Sequence, residues 1–293
     1  MREVCMDEWY LTCYAFDINK NLKERELFGR KIQFQSPQLK YRTKLLDWLK
    51  SVAERLTLSN VTVHLGIFLI DKFMDNHNIV INRLASVALV CLLIAAKFEE
   101  LDSRIPKLTD LPALVGYEMS LAEFVQLEIF VLNSFNWRIS WPTPAHFAEF
   151  YSLCAVNAGD RDYNCTPHHH LSDLITSSLR DFLDVTLSDV TLLEYRSSEV
   201  AAACLLAARV EHGLRPLWPE MLETITGYTI LQLQPVFNVI IETNLCEEQN
   251  LLFLQSADIS HGRKRKFDET HESGYESSSP ECSKHKAKLL KEL

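Results

Sequence analysis

Lys97 closes a run of ten apolar residues, Val87–Ala96, and Phe98, Glu99 and Glu100 follow at once. An ammonium at the end of a buried helix needs an acceptor, and Glu128, in the next strong helical segment, supplies a carboxylate. The pair can cap a bundle as a structural ion pair or present a polar centre to a partner, and the two residues alone leave both readings open. Cys165 with His168, His169 and His170 carries metal-ligand atoms. Three consecutive histidines in a loop point in different directions, however, and no second cysteine pair is near, so no metal site is expected. No Walker loop, GxGxxG, GxSxG or HExxH occurs, and eight glycines leave little with which to cradle a phosphate. The expectation is a protein that is not an enzyme and needs no cofactor. Arg263, Lys264, Arg265 and Lys266 form a compact basic run suited to an acidic groove such as that of a nuclear import receptor. Glu272–Ser277 loosely resembles a phosphodegron, whose phosphates a basic pocket would read, but plain disorder is the favoured reading there.

Two stretches of the chain nearly repeat one another. Val87–Lys97 (VALVCLLIAAK) and Val200–Val210 (VAAACLLAARV) share a Cys-Leu-Leu core, and each is apolar nearly all the way round a helix, as expected of the hub of a helical bundle. The ten-residue run is far short of the ~20 needed to cross a bilayer, and charges follow it directly, so no membrane partner is expected. Helical periodicity marks Tyr41–Leu56, Val61–Met74, Arg83–Phe98, Lys107–Val115 and Leu121–Leu132, with Asn60 and Ser120 as N-caps. Trp141-Pro142-Thr143-Pro144 breaks the pattern. Five more segments follow: Ala145–Ala155, His170–Thr186, Leu192–Glu211, Pro216–Ile225 and Gln232–Leu245, with the intervening AGDRDYNCTPHHH read as a surface loop. Trp9–Leu27 carries a narrow stripe of Tyr14, Ile18 and Leu22, a helix outside the first bundle. The expected architecture is all-α: an N-terminal helix and linker over 1–40, a five-helix bundle over 41–140, a second over 141–250, and a disordered tail over 251–293.

Composition narrows the function. The eight cysteines are scattered without a CxxC pair, which suits a reducing compartment, and MREVCMDEWY shows neither a secretory signal nor a transit peptide. Nucleus and cytoplasm are the expected locations. Residues 1–255 hold 22 Lys/Arg against 32 Asp/Glu. Phosphate neutralisation supplies most non-specific affinity for nucleic acid, so no nucleic-acid partner is expected of this acidic fold.

Five motifs in order now resemble the cyclin family: YRTKLLDWLKSVAERLTL with Arg42, Leu45, Asp47, Trp48 and Leu49; AAKFEE ending the third helix; QLEIFVL around Glu128; FDINKNLKERE over Phe16–Glu26; and WPEMLETITGYTILQLQP over Trp218–Pro235. The resemblance spans Asp17 to Leu245. QSPQL at Gln35–Leu39, the short N-terminus and PAHF at Pro144–Phe147 are similar to the J branch of that family. The resemblance implies two tandem cyclin-fold bundles in a regulatory subunit that binds and activates a cyclin-dependent serine/threonine kinase of the cell-cycle type (CDK1/CDK2-like). Such a subunit holds the kinase's regulatory helix inward and favours the arrangement in which the catalytic lysine–glutamate pair is formed. Protein substrates of the complex are further partners. The resemblance assigns Lys97 and Glu128 to the polar centre of the kinase-facing side, Lys97 donating to backbone carbonyls beside that regulatory helix. Phe98 and Leu101 pack round them, with Ile18 and Tyr14 as an apolar anchor. Ile18 packing on the chain's own second bundle is the competing reading.

Cell-cycle members also dock Arg-x-Leu substrate motifs on an apolar patch of the first helix. The matching positions here are Tyr41, Lys44, Leu45, Trp48 and Ser51, and an ammonium amid a site for an arginine predicts weak or altered docking. The competing functions are a cyclin-fold transcription adaptor, which the acidic fold disfavours, and a transcriptional cyclin, which the DIxxxL pattern of the N-terminal helix disfavours.

Overall fold

The computed structural model describes residues 13–27, 32–33, 35–107, 120–157, 159–162 and 166–262, with residues 248–262 described as backbone only. Among these residues the elements are helical: α1 (Ala15–Glu26), α2 (Arg42–Arg55), α3 (Asn60–Asn76), α4 (Ile81–Glu99), α5 (Leu121–Ser134), α6 (Pro144–Ser152), α7 (His168–Thr186), α8 (Ser197–Glu211), α9 (Glu220–Thr226) and α10 (Ile230–Gly262). Short 3-10 turns at Pro37–Tyr41 and Val190–Glu194 lead into α2 and α8.

The first bundle forms because α2 buries Arg42, Leu45, Leu46, Leu49, Val52 and Ala53, one helical face, against α3 and α4. α4 is the hub, buried from Val87 through Ala96. It is long and apolar enough to cross a membrane, longer than the ten-residue run suggested, and its enclosure by α2, α3 and α5 accounts for that apolarity. Gly66 on α3 lets the two helices approach closely, since a Cβ there would lie 3.1 Å from the Leu92 Cα. Ser59, not Asn60, caps α3: its hydroxyl accepts the Thr62 N–H, and Asn60 is the first helical residue. Ser120 caps α5 as expected, in a reciprocal capping box with Glu123. The helix expected over Lys107–Val115 lies, beyond Lys107, outside the described residues.

In the second bundle α8 is the hub, surrounded by α6, α7, α9 and α10. Its Val200–Ala208 run is completely enclosed. Three expectations change here. Leu192–Glu211 is divided, because the chain turns at Tyr195–Arg196 between the 3-10 turn and α8. His168–His170 belong to the first turn of α7 rather than to a loop, and Cys165 lies outside the described residues. The backbone also stays helical to Gly262, past the start at 251 assigned to the disordered tail. A helix already nucleated by packing extends at little cost through a segment without proline.

α1 lies on the second bundle, against α6. Leu22 is buried as expected, but the other buried members are Ala15 and Asn19, each one residue after the expected Tyr14 and Ile18. Ile18 is half-buried against the second core and Tyr14 is exposed.

Candidate functional site

Three charged residues at the end of α4 each grip a different element. Lys97 Nζ donates to Glu128 Oε1 of α5 at 2.6 Å. Glu99 Oε1 lies 3.0 Å from His146 Nε2 on α6, so it reaches into the second bundle. Glu100 Oε1 accepts the Ser59 N–H at 2.6 Å and the Thr62 hydroxyl at 2.8 Å, tying the end of α4 to the start of α3. Partial burial pushes the Glu100 carboxyl upward, but those two bonds and Arg104 outweigh it and hold the group below its ordinary range. His146 is itself fixed by Thr143, whose N–H and hydroxyl lie on its Nδ1.

Of the three, only the Lys97 pair stands at an open rim. Its ammonium side chain is 39% exposed, while Glu128 beneath is 10% exposed. One of three ammonium donors is used by Glu128, leaving two that a neighbouring chain's carbonyls can take. Phe98 and Leu101 are exposed beside it, so the structure gathers four of the six residues expected to bind a kinase at one end of the first bundle. Ile18 is on α1, against the second bundle, and Tyr14 is exposed at the start of that helix.

Sequence reasoning missed further exposed apolar groups on α5. Leu121 stands seven residues before Glu128, on the same helical face, and Ile129 adjoins it. The turn after α5 holds Asn136 and Trp137 at φ of 50° and 61°, with the Trp137 indole exposed and its N–H donated to Asn133 Oδ1. A left-handed tryptophan is costly. The adjacent Asn-Trp pair was the signal for it.

The substrate-docking positions divide. Lys44 and Ser51 are exposed, Tyr41 and Trp48 are half-buried against the first core, and Leu45 is inside it. Arg263–Lys266 lie outside the described residues. Among the described residues no His/Cys/Asp/Glu group is arranged to hold a metal ion.

The second copy of the hub ends differently. With Cys204 set on Cys91, Val210 falls on Lys97 and Arg209 on Ala96. Arg209 is completely buried. It donates to both carboxylate oxygens of Asp160 and to the carbonyls of Ala155, Pro216 and Leu217. The loop carrying Asp160, expected at the surface, therefore turns its carboxylate inward.

Comparison with known proteins agrees with this architecture. Residues 15–140 match the family model "Cyclin, N-terminal domain" and residues 142–266 match "Cyclin, C-terminal domain". Cyclin-J of Xenopus laevis is 36% identical over 75% of this chain and 59% of its own length. Cyclin-J of Homo sapiens is 34% identical over 76% and 59%. The cyclin-J-like protein of Mus musculus is 32% identical over 80% and 64%. The chain thus spans about three fifths of the length of the curated relatives it matches. A viral cyclin from herpesvirus saimiri superposes with a TM-score of 0.61 at 16% identity, over 77% of this chain and 96% of that one. With both domain models matched in tandem on two helical bundles, the chain belongs to the cyclin family.

Proposed function

We propose that the chain is a non-catalytic regulatory subunit that binds and activates a cyclin-dependent kinase of the cell-cycle type. The observation that carries this reading is the Lys97–Glu128 pair, held by a buried carboxylate at an open rim lined by Phe98 and Leu101. A purely structural pair would gain nothing from ringing itself with exposed apolar side chains. Lys97 donates its free N–H groups to carbonyls beside the kinase's regulatory helix, and the apolar rim packs against that helix. Because the surface fits the inward position of the helix, binding shifts the kinase toward its active arrangement. The strained, exposed Trp137 supports a binding role for the end of α5. The basic run Arg263–Lys266 directs the complex to the nucleus.

The test is to mix the full chain with cell-cycle kinases and score phosphate transfer, beside Lys97→Glu and Glu128→Lys variants whose folding is checked by circular dichroism. Folded variants that no longer activate support the reading. Full activation by both variants removes the Lys97–Glu128 pair from the interface, and binding of duplex promoter DNA with activation of no kinase overturns the reading in favour of a cyclin-fold adaptor.

A further inference from the structure

One flank of α2 carries charge of a single sign. Tyr41, Lys44, Trp48, Ser51 and Arg55 recur at alternating three- and four-residue steps, so they fall in one stripe along the helix. Lys44, Ser51 and Arg55 are exposed, and the half-buried Tyr41 and Trp48 seat the stripe on the first core. Lys40, just ahead in the 3-10 turn, sets its ammonium 5.1 Å from the centre of the Tyr41 ring. Among the described residues none of these three cations forms a salt bridge. The acids of α2, Asp47 and Glu54, stand on the next row round the helix. On a fold with 32 Asp/Glu against 22 Lys/Arg over residues 1–255, an unpaired cationic stripe calls for an anionic partner.

The chain carries such a partner. Phe267–Ser283 (FDETHESGYESSSPECS), which lies outside the described residues, holds Asp268, Glu269, Glu272, Glu276 and Glu281 with no Lys or Arg, and Phe267 and Tyr275 as aromatic groups. It follows α10, and α10 passes close to α2. Lys50 Nζ of α2 donates to the Asp184 carbonyl at 3.0 Å, and the Asp184 carboxyl feels the charges of Glu54 on α2 and Glu247 on α10. That corner is acidic and offers the tail no counter-charge; the stripe does. From Glu247 the helix runs about 22 Å to Gly262, and α2 is about 21 Å long. Glu276, fourteen residues past Gly262, reaches about 46 Å in extended chain, enough to span both.

We propose that the acidic segment Phe267–Ser283 folds back onto the Tyr41–Arg55 stripe of its own chain, with carboxylates on Lys40, Lys44 and Arg55 and aromatic rings against Tyr41 and Trp48. Docked there, the tail covers this face and excludes other peptides from it. A tethered segment acts at an effective concentration of about 1 mM. A contact with a Kd of only about 100 µM as a free peptide therefore keeps the stripe covered in about nine chains of ten. The contact needs no kinase, and it does not depend on the kinase reading.

The experiment treats the full chain with a water-soluble carbodiimide, which joins an amine to a carboxylate in contact with it, and identifies the joined peptides by mass spectrometry. The expected result at about 50 mM salt is coupling of Lys40 and Lys44 to the acids of 267–283. At about 500 mM, where the Debye length falls to about 4 Å, that coupling should be lost. A mixture of ¹⁵N-labelled and unlabelled chains should show these links within one isotope. In parallel, the synthetic peptide 267–283 is titrated by fluorescence anisotropy into the wild-type full chain and into a full chain carrying Asp268→Asn, Glu269→Gln, Glu272→Gln, Glu276→Gln and Glu281→Gln. The neutralised chain, its stripe uncovered, should bind the peptide about tenfold more tightly. Tail acids joined at low salt only to Lys264, Lys266 or Lys284, or to no lysine, overturn the proposal. So do links formed only between copies, and equal peptide binding by the two chains.

Discussion

Arg42 grips Asp71 through two parallel hydrogen bonds, Nε to Oδ1 at 2.9 Å and Nη2 to Oδ2 at 2.8 Å, and its remaining Nη1 donates to the Leu187 carbonyl at the end of α7. One guanidinium therefore joins α2, α3 and the second bundle. Burial pushes the Asp71 carboxyl upward, opposed by the hydrogen bond and charge of Arg42. Arg42→Ala strands that carboxylate and should destabilise the chain by about 3–5 kcal/mol, read from urea unfolding. Arg42→Met combined with Asp71→Leu should cost much less than the sum of its parts.

Acid should loosen the chain through His64. Burial, with Lys50 and His146 adding positive charge, pushes its imidazole from 6.5 down to about 3. The folded form then binds fewer protons than the unfolded form between those values. Stability is complete above about pH 6.5 and falls by roughly 1.4 kcal/mol per unit as pH drops toward 3. In thermal unfolding at stepped pH, His64→Phe should flatten this part of the profile.

The two cations that end the hub helices should separate stability from binding. Lys97→Ala takes the partner from the buried Glu128 carboxylate but opens it to water at the rim, and should cost about 1–2 kcal/mol. Arg209→Ala leaves Asp160 and three carbonyls without their donor and should cost at least about 3 kcal/mol. Denaturant melts of both variants, beside kinase activation by the first, check this.

Glu26 accepts the Ser198 N–H at 3.0 Å and its hydroxyl at 2.6 Å, placing a carboxylate at the start of α8. Glu26→Ala should cost about 1 kcal/mol. It should also raise the rate of proteolytic cleavage just after α1, followed by mass spectrometry.

Lys44 is exposed on α2 between half-buried Tyr41 and Trp48. Its ammonium is the feature that should weaken docking of an Arg-x-Leu peptide. Lys44→Ile should strengthen that binding by about tenfold, a gain of roughly 1.4 kcal/mol, in a fluorescence-anisotropy titration.

What was legible in the chain follows from the kind of contact involved. Both hubs announced themselves, because a helix without a polar face has only one place to go. The Lys97–Glu128 pair was legible because a buried-helix terminus demands a counter-ion. Arg209 was not, since three of its acceptors are backbone carbonyls, which every residue possesses. The Glu99–His146 link and the Arg42 contact to Leu187 were hidden because they depend on how the two bundles dock. Ser59 rather than Asn60 as the cap is not legible in the chain, because both side chains can accept an N–H and only the backbone angles decide between neighbours. On α1 the apolar pattern finds Leu22 but not Asn19, because a buried polar residue leaves no mark in a hydrophobic period.

The one-residue offset between Arg209 and Lys97 has a further meaning. A single step along a helix is a turn of about 100°, enough to point one cation inward and the other out. The duplicated fold has in this way enclosed one copy's charge within its own core and left the other's at the surface. A chimera carrying the first copy twice would show two such open cations, whereas a chimera carrying the second copy twice would show none.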